Sequence, residues 1–184
     1  MERTKQSKRK GAFHIKALIL AAGKGTRLRP LTWFIPKPLI KIKGKAVVDR
    51  IIEWLWQYGI NDIVINLHYK PHKFMKHFGN KVLYFYEPKL LGEEGTIYSL
   101  RHWIGNDYCL VINGDTLTNL NLNIMLDLTK GKNAKFVDGK TYAGYRILPP
   151  GYKFGDQFIE YRDGEAWWVD CGTFKGLRKA KQLV

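Results

Sequence analysis

The stretch Leu18-Ile19-Leu20-Ala21-Ala22-Gly23-Lys24-Gly25-Thr26-Arg27-Leu28 constrains this chain more than any other. An apolar run bounded by glycine reads as a buried strand. The turn after it exposes backbone N–H groups and the cations Lys24 and Arg27 at the strand's C-terminal end, which is where an open α/β sheet binds its ligand. Two familiar phosphate loops do not fit. A Walker loop needs glycine where Leu18 or Leu20 stands, and a dinucleotide fingerprint needs a third glycine at Leu28.

The chain has 184 residues, enough for one domain with a substantial core. Hydrophobic residues make up 45% and aromatics 14%, which argues against disorder beyond the first dozen residues. Lys and Arg outnumber Asp and Glu by 31 to 16, so the favoured partners are anions. Charge alone does not separate a phosphate-rich small substrate from a nucleic acid. Cys109 and Cys171 form no disulfide framework and fit a reducing cytoplasm. No apolar run approaches the ~20 residues that span a bilayer, so neither a membrane partner nor a span is expected.

Residues 1–13 read as a flexible basic tail, and 14–184 as a single domain. The first strand is expected over Ile15 to Ala21, with the loop running from Ala22 to about Ile35, where Pro30 and Pro36 oppose helix. Apolar spacing from Val47 to Trp56 predicts a helix from Ala46 to Tyr58, stopped by Gly59. A β-branched strand, Asp62 to Leu67, comes next, and strand, helix, strand implies a right-handed parallel crossover. His68, His72 and His77 match no compact zinc spacing, so Pro71 to Phe78 reads as a helix with partly exposed imidazoles. Further strands are expected at Val82 to Tyr86 and Tyr108 to Ile112. Gly92 and Gly95 should bracket a turn before a helix from Thr96 to Ile104. Beyond Asp115 the pattern predicts a helix within Leu120 to Leu128 and strands at Ala134 to Val137, Tyr142 to Leu148 and Trp167 to Val169. A basic helix closes the chain from Thr173 to Leu183. The architecture expected is a three-layer α/β/α sandwich with a doubly wound, mostly parallel sheet.

Asp115 and Asp170 each end a strand inside a glycine-flanked turn, Asn113-Gly114-Asp115-Thr116 and Val169-Asp170-Cys171-Gly172-Thr173. Either alone reads as a turn former. Together, at the edge that carries the phosphate loop, they suit Mg²⁺, which takes few carboxylates and completes its shell with phosphates and water.

The string Gly-x-Gly-Thr-Arg-Leu, succeeded by Pro36-Lys37-Pro38, resembles the sugar-1-phosphate nucleotidyltransferases. The resemblance continues through Gly92 to Leu100, Asn113-Gly114-Asp115, Tyr142-Ala143-Gly144 and Trp168 to Thr173. It implies a Rossmann-like, GT-A-type nucleotidyltransferase fold acting on a nucleoside triphosphate and a sugar-1-phosphate. The triphosphate would be held by Leu20, Ala21, Ala22, Gly23, Lys24, Gly25, Thr26 and Arg27, with Glu87, Gly92 and Gly95 near the base. Arg27 would stabilise departing pyrophosphate, and Lys37 would contact the reacting phosphates. Asn113, Gly144 and Lys140 would meet the acceptor, and Asp115 with Asp170 would hold Mg²⁺. Two departures stand out. The family's Glu-Lys pair is missing, leaving Lys140 or Lys135 as its substitute. Gly92-Glu93-Glu94-Gly95-Thr96 also differs from the usual Leu-Gly-Thr-Ala-Gly, and with Ile97-Tyr98-Ser99-Leu100 it is similar to the choline-phosphate cytidylyltransferase branch.

The resemblance therefore implies a mannose-1-phosphate guanylyltransferase-like enzyme first, and the cysteine usage a cytoplasmic one. Cytidylyl transfer to a phospho-alcohol such as phosphocholine is the alternative, and a non-catalytic nucleotide- or RNA-binding module is the alternative from another class. A nucleic acid is not the expected partner, whereas a homo-oligomer is compatible with the sequence. An ionised Glu87 at the base would accept hydrogen bonds from guanine or from the cytosine amino group, which predicts GTP first and CTP second.

Overall fold

The computed structural model describes residues 14–130 and 132–184. The basic tail expected over residues 1–13 lies outside them. Strand β1 is Ile15–Leu20, and after it come three short 3₁₀ turns at Thr26–Leu28, Leu31–Trp33 and Lys37–Leu39. A hairpin of β2 (Lys41–Ile42) and β3 (Lys45–Ala46) leads into helix α1, Val47–Gln57. Then come β4 (Ile63–Leu67), α2 (Pro71–Phe78), β5 (Leu83–Tyr86), α3 (Gly92–Ser99) and α4 (Arg101–Ile104). The next elements are β6 (Tyr108–Asn113), β7 (Thr116–Thr118), α5 (Leu122–Thr129), β8 (Ala134–Asp138) and β9 (Thr141–Leu148). The chain ends with β10 (Ile159–Tyr161), β11 (Trp168–Asp170) and α6 (Phe174–Leu183).

Seven strands form the main sheet in the order β10-β8-β9-β6-β1-β4-β5. The pairs β1/β4, β4/β5, β1/β6 and β10/β8 are parallel, while β9 runs antiparallel to both β6 and β8. Strand β1 sits where the winding reverses, with β4 on one side and the later β6 on the other. At such a switch point the loops leaving the two strands diverge and open a crevice beyond their carboxyl ends.

Alternation along β1 divides the core. Ala17 and Ile19 pack with Ile51, Leu55, Phe74, Met125 and Ala180, so α1, α2, α5 and α6 cover one face. Leu18, Val64 and Val111 pack with Ile97 of α3, Leu100 at the junction and Ile104 of α4 on the other. The expected three-layer α/β/α sandwich is the observed one. Helix α1 forms where the apolar spacing places it and stops before Gly59, which adopts the left-handed φ of 73° that glycine tolerates.

Two readings need correction. The turn expected between Gly92 and Gly95 is helix: both glycines lie in α3, and Glu93 and Glu94 occupy its first turn. Carboxylates there complement the helix dipole and pair with Arg146, which offsets the weak helix propensity of glycine. The single helix expected to Ile104 is interrupted at Leu100. Strand β10 escapes the sequence reading because Ile159 and Glu160 are exposed at the sheet edge and show no alternation.

Candidate active site

The loop after β1 is pinned from behind. Ala21 N–H donates to Asn66 Oδ1 at 2.6 Å, and Asn66 Nδ2 donates to Glu87 Oε1 at 2.9 Å. Gly25 has a φ of 63°, and a Cβ there would meet Thr32 Cγ2 at 3.0 Å and Lys37 Cβ at 3.2 Å. Glycine therefore lets the loop fold back onto the Pro36-Lys37-Pro38 turn. Thr32 Oγ1 donates to the Gly25 carbonyl at 2.8 Å, and Tyr69 OH to the Thr32 carbonyl at 2.8 Å. Ala21 and Ala22 are buried, whereas Gly23, Lys24, Thr26 and Arg27 face solvent. Among the described residues, the N–H groups of Gly23 and Lys24 meet no protein acceptor. That leaves a shallow anion cradle with two cations beside it.

The carboxylates reach the same edge by a different route. Asp115 immediately precedes β7, Asp170 ends β11, and these strands pair antiparallel with Asp170 opposite Thr116. Cys171 N–H donates to the Asp115 carbonyl at 2.8 Å and closes the ladder. Lys37 Nζ forms an ion pair with Asp115 Oδ2, and Arg27 lies 3.4 Å from Asp170 Oδ2. The common point is Gly172, whose added Cβ would stand 2.6 Å from Asp170 Oδ1, 2.9 Å from an Arg27 guanidinium nitrogen and 3.0 Å from Asp115 Oδ2. A residue without a side chain is thus what allows Arg27 and the two acids, with Lys37 on one of them, to converge.

The two carboxyls differ in their electrostatics. Burial pushes Asp115 above the usual carboxylate range despite Lys37, with the neighbouring Asp170 adding to the rise. Asp170 also feels burial, but the Gly172 N–H, Asp115, Lys37 and Arg27 outweigh it and hold Asp170 below its ordinary value. The two carboxyls of the pair are therefore shifted in opposite directions. Cys171, though adjacent, is held as a thiol: burial, then Asp115 and Asp170, push it up to about 12.

Asn113 ends β6 beside this pair, and Gly144 on β9 approaches it so closely that a Cβ would lie 3.0 Å from Asn113 Nδ2. The structure therefore brings together the residues 20–27 loop, Lys37, Asn113, Asp115, Gly144 and Asp170. Lys140 is not brought in, since it is exposed in the hairpin turn between β8 and β9. Lys135 lies over the Phe158 ring at 4.1 Å and the Tyr142 ring at 5.4 Å.

Glu87 does not face a nucleobase. It is 1% exposed, and its carboxylate accepts from Asn66, Thr96 Oγ1 and the Leu91 N–H. Its place is behind the loop, where it orients Asn66, a residue that in sequence is only one position of a strand. With three donors already matched, Glu87→Gln sets an amide N–H₂ against them and should cost roughly 1–3 kcal/mol. The expected result is a melting temperature several degrees lower with the wild-type preference among nucleoside triphosphates. A shifted preference without loss of stability would return Glu87 to the base.

A glycine loop at the switch point, two cations and a carboxylate pair thus meet at the strand ends of an α/β sheet. The chain belongs to the nucleotidyl transferase family, whose sequence signature matches residues 16–155. It is similar to mannose-1-phosphate guanylyltransferase of Mycobacterium tuberculosis, with 32% identity over 126 residues covering 65% of this chain and 35% of that protein. The chain spans about a third of the length of such relatives. Among solved structures, HddC from Yersinia pseudotuberculosis matches with a TM-score of 0.77 at 22% identity, covering 91% of this chain and 98% of that one. The CTP:phosphocholine cytidylyltransferase LicC of Streptococcus pneumoniae matches with a TM-score of 0.73 at 21% identity, covering 93% and 99%. At these identities the structural matches establish the fold. No helix among the described residues is long and apolar enough to cross a membrane.

Proposed function

We propose that this chain transfers a nucleotidyl group from a nucleoside triphosphate to a phosphorylated small acceptor, a sugar-1-phosphate, and releases pyrophosphate. The observation that carries this reading is the convergence of Arg27, Asp115 and Asp170 on Gly172, with Lys37 paired to Asp115. An acceptor phosphate oxygen forms the new bond to the α-phosphorus as the bond to the β-phosphate oxygen breaks, and the electron pair leaves with pyrophosphate. Two polyanions must approach each other, and charge grows on the leaving group. Arg27, exposed at the loop's end, can meet that growing charge, and Lys37 can bind a phosphate oxygen at the reacting centre. The free N–H groups of Gly23 and Lys24 bind and orient the triphosphate. Since the acceptor phosphate is already an adequate nucleophile, the protonated state of Cys171 is no obstacle.

Asp115 and Asp170 offer hard oxygen donors from neighbouring rungs of one ladder, with Asp170 opposite Thr116. This donor set fits Mg²⁺, which these two residues would hold. A bound Mg²⁺ would supply charge neutralisation at the phosphates.

The burial of Glu87 takes away the residue on which the preference for GTP over CTP rests, so the donor is to be found by assay. Pyrophosphate release should be measured with each of the four nucleoside triphosphates against a panel of sugar-1-phosphates and phospho-alcohols. Turnover with one sugar-1-phosphate pair is expected. Turnover confined to CTP with a phospho-alcohol would move the acceptor class, and nucleotide binding without turnover on any pair would overturn the enzymatic reading.

A further inference from the structure

On the sheet face covered by α3 and α4, those helices and the segment after β9 enclose a cavity of about 320 Å³. Its volume lies in the range of small-molecule sites. None of the loop, Lys37 or the carboxylate pair lines it. The floor is apolar and buried, formed by Ile97, Ile104 and Leu148. Around the mouth stand Tyr98, Tyr152 and Phe154, and two of these rings are left largely in water: Tyr98 is 62% and Phe154 75% exposed. Exposed aromatic rings gathered at a concave apolar surface are a recognition feature rather than a packing one.

The charged groups at this mouth differ in how far they are already engaged. Glu94 lines the cavity, but Arg146 takes its Oε1 at 2.6 Å and Tyr152 OH its Oε2 at 2.9 Å. Arg101 stacks its guanidinium 4.3 Å from the Tyr98 ring centroid and donates to the Tyr98 carbonyl at 2.9 Å. Neither the Arg101 guanidinium nor the Lys153 ammonium forms an ion pair with a carboxylate among the described residues, although Asp156 accepts from the Lys153 backbone N–H at 2.7 Å. With the Glu94 oxygens engaged by Arg146 and Tyr152, Arg101 and Lys153 are the side chains at the mouth that can still donate to an anionic group.

We propose that this cavity is a second ligand site that takes a small planar aromatic anion, its rings against Tyr98 and Phe154 and its anionic group on Arg101 and Lys153. A bound ring adds to the stack that Arg101 and Tyr98 already form, so little reorganisation is required. Tyr152, which lines the same cavity, also accepts from Arg146 at 2.7 Å. Arg146 is the buried guanidinium that ties β9 to the first turn of α3. The ligand would therefore rest on the cluster that joins these two elements.

Anilinonaphthalene sulfonate carries a planar naphthalene ring and a sulfonate, and its fluorescence reports binding directly. Titration of the intact protein should show one saturable site that a tenfold excess of nucleoside triphosphate with Mg²⁺ does not displace. Tyr98→Ala and Arg101→Glu, both at exposed positions, should each weaken that binding at least tenfold while leaving the melting temperature unchanged. The uncharged analogue phenylnaphthylamine should bind at least tenfold more weakly than the sulfonate. Unchanged affinity in both variants, stoichiometric displacement by the nucleotide, or equal binding of the neutral analogue would overturn the proposal.

Discussion

Asp115→Asn is expected to lower nucleotidyl transfer by about 10³-fold, roughly 4 kcal/mol of transition-state stabilisation, with the fold intact. The substitution keeps the shape of the side chain and removes the charge that pairs with Lys37. Its small structural cost comes from the sign of the shift. A carboxyl raised above its ordinary value is less comfortable ionised in the fold than in the unfolded chain, so stability is lost as pH rises through the carboxylate range. A neutral amide avoids that penalty, and the melting temperature should move by only a few degrees. The measurement is steady-state turnover at saturating substrates and Mg²⁺ alongside a thermal melt. Turnover near that of the wild type would remove Asp115 from the mechanism.

Gly176→Ala should act in the opposite sense, on the fold first and on activity through it. Thr173 Oγ1 caps α6 by accepting from the Gly176 N–H at 3.0 Å, which presses the first turn of the helix onto the end of β11. A Cβ at Gly176 would overlap the Asp170 carbonyl oxygen, which is backbone and has no alternative rotamer. Either α6 lifts away or β11 shifts, and overpacking of this kind costs about 3 kcal/mol. The expected result is a melting temperature lower by roughly 5 °C or more, with turnover reduced because Asp170 moves with its carbonyl. A variant with the wild-type melt and wild-type rate would show that the helix start is not what fixes Asp170.

Much of this architecture is legible in sequence because it depends on short-range pattern. The apolar run to Leu20 and the glycines after it locate the loop, periodicity from Val47 to Trp56 locates α1, and Pro71 locates the start of α2. Asp115 and Asp170 can be paired because each sits in a glycine-flanked turn after an apolar run, although the ladder that joins them, β7 with β11, lies outside the main sheet and is too short to show alternation. The failures have a common cause. Glu87 reads as a base contact because it comes directly after a strand, but its surroundings are set by Asn66 and Thr96, which reach it from separate elements. Gly92 and Gly95 read as a turn because the partner that makes α3 worthwhile, Arg146, comes from β9. Arg146 itself, 2% exposed, carries no sequence signal, since nothing local marks a guanidinium in a strand as buried. Polar groups that serve each other across the fold are invisible to any window along the chain.

The short β7/β11 ladder has a consequence for how such a chain can diversify. Asp115 and Asp170 are held in register by the pairing of Thr116 with Asp170 and Leu117 with Val169, and by Cys171 reaching back to Asp115. Their separation is therefore set by a clasp, not by the length of what it encloses. The enclosed segment, from Asn119 to Trp167, carries α5, β8, β9 and β10 and brings Gly144 against Asn113 and Thr116, on either side of Asp115 in sequence. Residues can be gained or lost in its loops without changing the distance between the two acids. The clasp makes the wall beside the reaction centre an exchangeable part: a graft between Thr118 and Trp168 would redraw the surroundings of the acids while leaving the acids where they are.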